Sequence, residues 1–124
     1  MLEADEARML AEIGMVAAGR GDLARANAIF GGLRLARPDR AYPLIGLAVA
    51  RMNAGSAGDA AQLLEPVRLD EPQEQALVQA WRGFALQLAG RNAESQRVLA
   101  EAAASSGEGA VLARQLLGLP EDAG

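Results

Sequence analysis

The sequence predicts an all-α fold, and three observations carry that expectation. The chain is 51% apolar but only 3% aromatic, and Ala, Leu and Gly dominate it, a mixture that suits close-packed helices better than a sheet. The stretch GDLARANAIFGGLRLARPDR, residues 21 to 40, reads as one short helix ending at a proline. Its small Ala26 and large Ile29, Phe30 and Leu33 are spaced for packing onto a second helix. The same stretch then returns 34 residues later, Gly21 falling on Gly55, Ala26 on Ala60, Phe30 on Leu64, Leu33 on Val67 and Pro38 on Pro72.

Taken in order, the helices expected are 3–19, 22–36, 41–54, 57–68, 73–89, 92–105 and 108–117. Asp22 and Ser56 follow turn glycines and are N-cap candidates. Pro72 suits the first turn of the fifth helix, where its missing N–H does no harm. Ser105 and Glu108 have the spacing of a capping box at the start of the seventh helix. In that helix Val111, Leu112, Leu116 and Leu117 share one side, which would cover the open end of a helical stack. The final PEDAG, residues 120–124, reads as a flexible tail. At 124 residues the chain is long enough for one modest domain, expected over 1–119, and too short for two conventional ones.

The repeat extends upstream, with Leu10, Ile13 and Gly14 falling on Leu44, Leu47 and Ala48. A third unit follows with one extra residue, in which Gly83 takes the small position, Gly90 the turn, Ser95 the Ala position, Leu99 the large apolar one and Ala102 the next; Gly107 stands where the proline would be. A period of 34 residues with two helices per unit resembles the tetratricopeptide repeat. That family places a small residue in the first helix so that the second can approach closely, matched here by Gly14 and Ala48. It follows with a small and then a large apolar residue in the second helix, matched by Ala26 with Phe30 and by Ala60 with Leu64. The family's aromatic positions in the first helix are not kept: they hold Leu10 and Ala17, then Leu44 and Arg51. The resemblance implies three hairpins, at about 7–40, 41–74 and 75–107, stacked as a short right-handed solenoid with 108–117 as a capping helix.

Little in the sequence supports catalysis. The chain has no histidine and no cysteine, which removes disulfides, thiol chemistry, the usual zinc sites and any serine activated by histidine. The adjacent carboxylates Asp5 and Glu6, Asp70 and Glu71, and Glu121 and Asp122 fall at helix starts, in turns or in the tail, where they complement helix N-termini or stay solvated. The glycine pairs in GRGD (19–22) and GGLR (31–34) lack the strand–loop–helix setting of a phosphate loop. A non-enzyme without cofactor or metal is the expectation. A net charge of -4 with scattered arginines argues against a nucleic-acid surface. The acidic N-terminal segment has neither the charge pattern of a secretory signal nor the length of a membrane span, so a cytoplasmic protein without membrane insertion is expected.

The resemblance also implies a concave groove lined by the first helices, the family's usual grip on peptides. Carrying its inward positions over gives Arg8, Ala11, Met15 and Ala18, then Tyr42, Ile45, Val49, Met52 and Asn53, then Leu77, Ala80, Phe84, Gln87 and Leu88. The strongest candidates are Met15, Tyr42, Ile45, Val49, Met52, Leu77, Phe84 and Leu88. This set is apolar where carboxylate-clamping repeats use Lys, Arg and Asn, so it suits the apolar face of an amphipathic helix, with Met15 and Met52 as adaptable contacts. Alternatively the same residues are core, covered by the N-terminal helix or by a second copy; exposed apolar surface of this extent favours a partner.

In size, repeat number, terminal helix and groove polarity the chain resembles the small tetratricopeptide chaperones of bacterial type III secretion systems. Such a chaperone would hold a needle, translocator or small export subunit, with or without a second co-chaperone. The rival reading is a scaffold or self-associating adaptor, for which a homodimer would serve.

Overall fold

The computed structural model describes residues 2–120, and among them there are helices and no strands. The order is α1 (Ala4–Gly19), α2 (Leu23–Ala36), α3 (Tyr42–Asn53), α4 (Ala57–Leu64), α5 (Pro72–Leu88), α6 (Asn92–Ala103) and α7 (Glu108–Leu117). The expected tail falls at 120–124, of which 121–124 lie outside the described residues.

The repeat is visible in the backbone itself. Each of α1, α3 and α5 is followed, two residues on, by a glycine of positive φ: Gly21 at 68°, Gly55 at 85° and Gly90 at 81°. At each, the next residue's N–H returns to a carbonyl one turn inside the helix, Asp22 to Ala17, Ser56 to Arg51 and Arg91 to Leu86. This is the Schellman arrangement, which needs a residue free to adopt the left-handed region. The same pair of bonds recurs at Gly118, where Leu119 N–H reaches the Arg114 carbonyl, so α7 ends as a first helix of a hairpin ends.

Local chemistry sets the helix limits. The Asp22 carboxylate accepts from Arg25 N–H at 3.2 Å and caps α2. Pro72 occupies the first position of α5, behind Glu71, whose carboxylate accepts from Gln73 N–H. Three details differ from the sequence reading. Helix α4 stops at Leu64 instead of running to 68, because Pro66 cannot donate to the ladder. Ser56 is the residue before α4 but its side chain makes no capping bond. The residue before α7 is Gly107, so Ser105 lies outside the cap position and no capping box forms.

Packing follows chain order. Each helix lies on the next, and α1 also lies on α3, α3 on α5 and α5 on α7. Three apolar clusters result. Ala7, Ala17, Ala26, Phe30, Leu33 and Leu47 join α1, α2 and α3. Leu44, Ala48, Ala60, Leu64, Val78 and Leu86 are among those joining α3, α4 and α5, with Val98 of α6. Ala80, Leu99, Ala102, Ala103 and Ala113 join α5, α6 and α7. Small residues set the separations. A Cβ on Gly14 would stand 2.7 Å from Phe30 Cε2, and one on Gly83 would overlap the Leu99 side chain. Both are small positions that the sequence singled out.

Polar side chains tie the units together at their edges. Glu74 of α5 accepts from Ala41 N–H at 2.8 Å and from Arg40 Nε at 3.1 Å, at the start of α3. Gln73 donates to Ser106 Oγ at 3.2 Å before α7. At the opposite edge Asn53 donates to the Ala18 carbonyl at 3.1 Å.

Helix α7 lies against α5 by virtue of Gly109, where a Cβ would run into the Ala76 and Leu77 backbone. Ala110 and Ala113 take its buried positions, with Leu112, Leu116 and Leu117 packed beside them, whereas Val111 is half exposed. Val111 therefore leaves the buried side on which the sequence reading placed it, because the close approach to α5 admits only small residues at the contact.

Candidate binding groove

The first helices of the successive hairpins stand side by side, and a hollow of about 550 Å³ opens across them. Helix α1 contributes Arg8, Ala11, Glu12 and Met15, α3 contributes Tyr42 and Ile45, and α5 contributes Leu77 and Trp81. Phe30 forms part of the floor from behind, and Glu108 closes the α7 end. The residues come from turns of three different helices because each projects one face at i, i+3 or i+4.

Its apolar wall is shaped by aromatic residues. Trp81 meets Phe84 edge to face, with centroids 6.0 Å apart and rings at 78°. The Arg40 guanidinium lies 5.8 Å from the centroid of Tyr42. A second hollow of about 540 Å³ continues from the first, sharing Arg8, Ala11 and Tyr42 and adding Ala4, Ala7, Arg37 and Arg40. One end of the groove is thus arginine-rich, while Glu12 and Glu108 border the apolar part. The larger hollow near Pro38, about 820 Å³, lies among inter-repeat loops, and beside Pro38 and Leu69 it is lined by the charged residues Asp39, Arg40, Arg68, Asp70, Glu71 and Glu74.

Of the sequence candidates, the structure brings Met15, Tyr42, Ile45 and Leu77 together in this hollow. Met15 is 42% exposed and Ile45 only 8%, so Met15 offers surface while Ile45 belongs mainly to the floor. Val49 and Met52 are half-buried against the α3–α4–α5 cluster, Phe84 supports Trp81 from the side, and Leu88 stands exposed beyond the hollow. Other inward positions lie outside the hollow: Asn53 bonds the Ala18 carbonyl, and Gln87 lines a separate hollow with Asn92, Ser95 and Gln96. Ala18 has no exposed surface and packs with α2 and α3 residues, and Ala80 is buried against Leu99 and Ala113.

Trp81, Glu12 and Glu108 were missed by the sequence reading. For Trp81 a signal existed. Ala76 and Ala80 sit one turn apart on one side of α5, and Leu77 and Trp81 sit one turn apart on the adjacent side. With the alanines turned to α7, the large pair faces the groove.

Among the described residues no cluster of three or more carboxylates is placed to hold a metal ion, and no helix is long and apolar enough to cross a membrane. A family model described as the tetratricopeptide repeat matches residues 17–83, from the end of α1 into α5. Comparison with curated proteins and with solved structures gave no significant match. Proteins of the matched family are in general non-catalytic scaffolds that bind other proteins. The seven helices among the described residues, the thrice-repeated glycine turn and a family match over more than half its length together place this chain in the tetratricopeptide repeat family.

Proposed function

We propose that this protein is a chaperone that holds an amphipathic helix of a partner in the groove across α1, α3 and α5, its hairpins stacked as a short right-handed solenoid. The observation that carries this reading is the hollow lined by Met15, Tyr42, Ile45, Leu77 and Trp81. A helix bearing apolar residues at i, i+3 and i+4 fits such a surface, and Trp81 and Tyr42 are the residue types that anchor interfaces. The arginine-rich end formed by Arg8, Arg37 and Arg40 suits acidic residues at one end of the bound helix. Binding and release need no covalent step.

The client class we propose is a small helical subunit of a type III secretion system, a needle, translocator or export component kept from assembling early in the cytoplasm. The short array of hairpins, the terminal helix and the apolar groove support it. Purification of the tagged chain from its native cells, with the partner identified and the complex weighed intact, tests it. A small helical secretion substrate at one-to-one stoichiometry is expected; a large housekeeping assembly would replace this reading with that of a scaffold. That second reading draws on a separate observation: Met9, Ile13 and Val16 are exposed on α1 away from the groove.

A further inference from the structure

We infer that the outer face of α1 is a self-association surface on which a second copy of this chain docks antiparallel about Ile13. Met9, Ile13 and Val16 are 62%, 48% and 56% exposed, and their spacing of four and then three residues places them on one stripe of the helix. Ala11 and Met15 project from the other side of α1 into the groove, so the stripe and the groove are separate surfaces. No other element among the described residues covers the stripe.

Charge decides the occupant and its direction. The stripe is continued by Glu6 at one end and Arg20 at the other. Both are exposed, and neither forms an ion pair among the described residues. Each lies seven residues from Ile13, about 10 Å along the axis at 1.5 Å per residue. An antiparallel pair with Ile13 on the two-fold axis therefore sets Glu6 of each copy opposite Arg20 of the other, while Met9 meets the region of Val16. A parallel pair would instead set Glu6 against Glu6 and Arg20 against Arg20. The self-complementary pattern, apolar in the middle with opposite charges at equal distances, is what a two-fold interface requires. A single helix pair buries an area at the low end for specific interfaces, so the association is concentration-dependent.

Sedimentation of the full chain from low to high micromolar concentration tests this, with circular dichroism as the check on folding. The expected result is a reversible shift from one chain to two, lost in Ile13→Glu with helical content kept. Glu6→Arg and Arg20→Glu should each weaken the dimer at least tenfold, because each sets like charges opposite one another twice. The double variant Glu6→Arg with Arg20→Glu should recover most of that loss. A monomer at every concentration would overturn the inference, as would a dimer indifferent to Ile13→Glu or a double variant no tighter than the single ones. A dimer abolished by Met15→Asp but not by Ile13→Glu would place self-association in the groove, and so would overturn it as well.

Discussion

Gly46 of α3 gives up the space that Phe30 of α2 fills: a Cβ built on Gly46 would overlap the edge of the Phe30 ring. The ring also lies against Gly14 of α1, so one fully buried aromatic residue is held between glycines of two successive first helices. Its burial, worth about 1.5–3 kcal/mol, links the first hairpin to the second.

Gly46→Ala therefore should lower stability by about 1–3 kcal/mol through overpacking, although alanine is the better helix former by about 1 kcal/mol. Gly32→Ala, at an exposed position of α2 where a Cβ meets nothing within 4 Å, should raise stability by about 0.5–1 kcal/mol. Urea unfolding of the two variants measures both, and opposite signs are expected.

Glu74 ties α5 to the start of α3. Removing its carboxylate in Glu74→Ala leaves the Ala41 N–H without its acceptor and should cost about 1 kcal/mol, the typical loss for an N-terminal cap. Glu74→Gln keeps an acceptor for that N–H and should cost less. Chemical denaturation midpoints in the order wild type, Gln, Ala are the expected outcome.

Glu94 lies between two arginines that differ in burial. It pairs with Arg91, whose side chain is 53% exposed, and at 3.4 Å with Arg82, whose side chain is 13% exposed. Arg91→Ala should change stability by less than about 1 kcal/mol, as exposed pairs do. Glu94→Ala strands the inner cation and should cost about 1–3 kcal/mol. Thermal melts of the two variants separate the cases.

Gly109 sets the contact between α7 and α5. A side chain there meets backbone, which cannot rotate away, so Gly109→Ala should loosen α7 and raise amide hydrogen exchange across Glu108–Leu117. Exchange in α1 to α4 should be unchanged.

The parts of this fold that were legible in the sequence are those fixed by neighbouring residues. Gly21, Gly55 and Gly90 carry the hairpin turns on their own conformational freedom, Asp22 caps the helix it precedes through the N–H three residues on, and Pro38 and Pro72 punctuate the units. The apolar period joined these into a repeat and led to Met15, Tyr42, Ile45 and Leu77 as neighbours. What the sequence concealed depended on distances between helices. That Phe30 requires glycine at 46 as well as at 14 follows from how α3 settles on the first hairpin. That Ala80 is buried and Trp81 faces the groove follows from the approach of α7, which Gly109 permits. Ser105 and Glu108 have capping-box spacing, but the residue before the helix is Gly107, so spacing alone misplaced that cap. Val111 turned outward for the same reason that alanines turned inward.

The groove is the central claim, and it is tested most directly by comparing the partner retained by the wild-type chain with that retained by Met15→Asp and by Trp81→Ala, each purified from the cells that make it and weighed intact. Met15 is exposed enough for the charge to be tolerated without loss of helix. The groove reading expects the partner on the wild-type chain and its loss from Met15→Asp, with Trp81→Ala reduced by the 2 kcal/mol or so typical of an anchoring aromatic residue. Equal retention of the partner by all three folded proteins would contradict it.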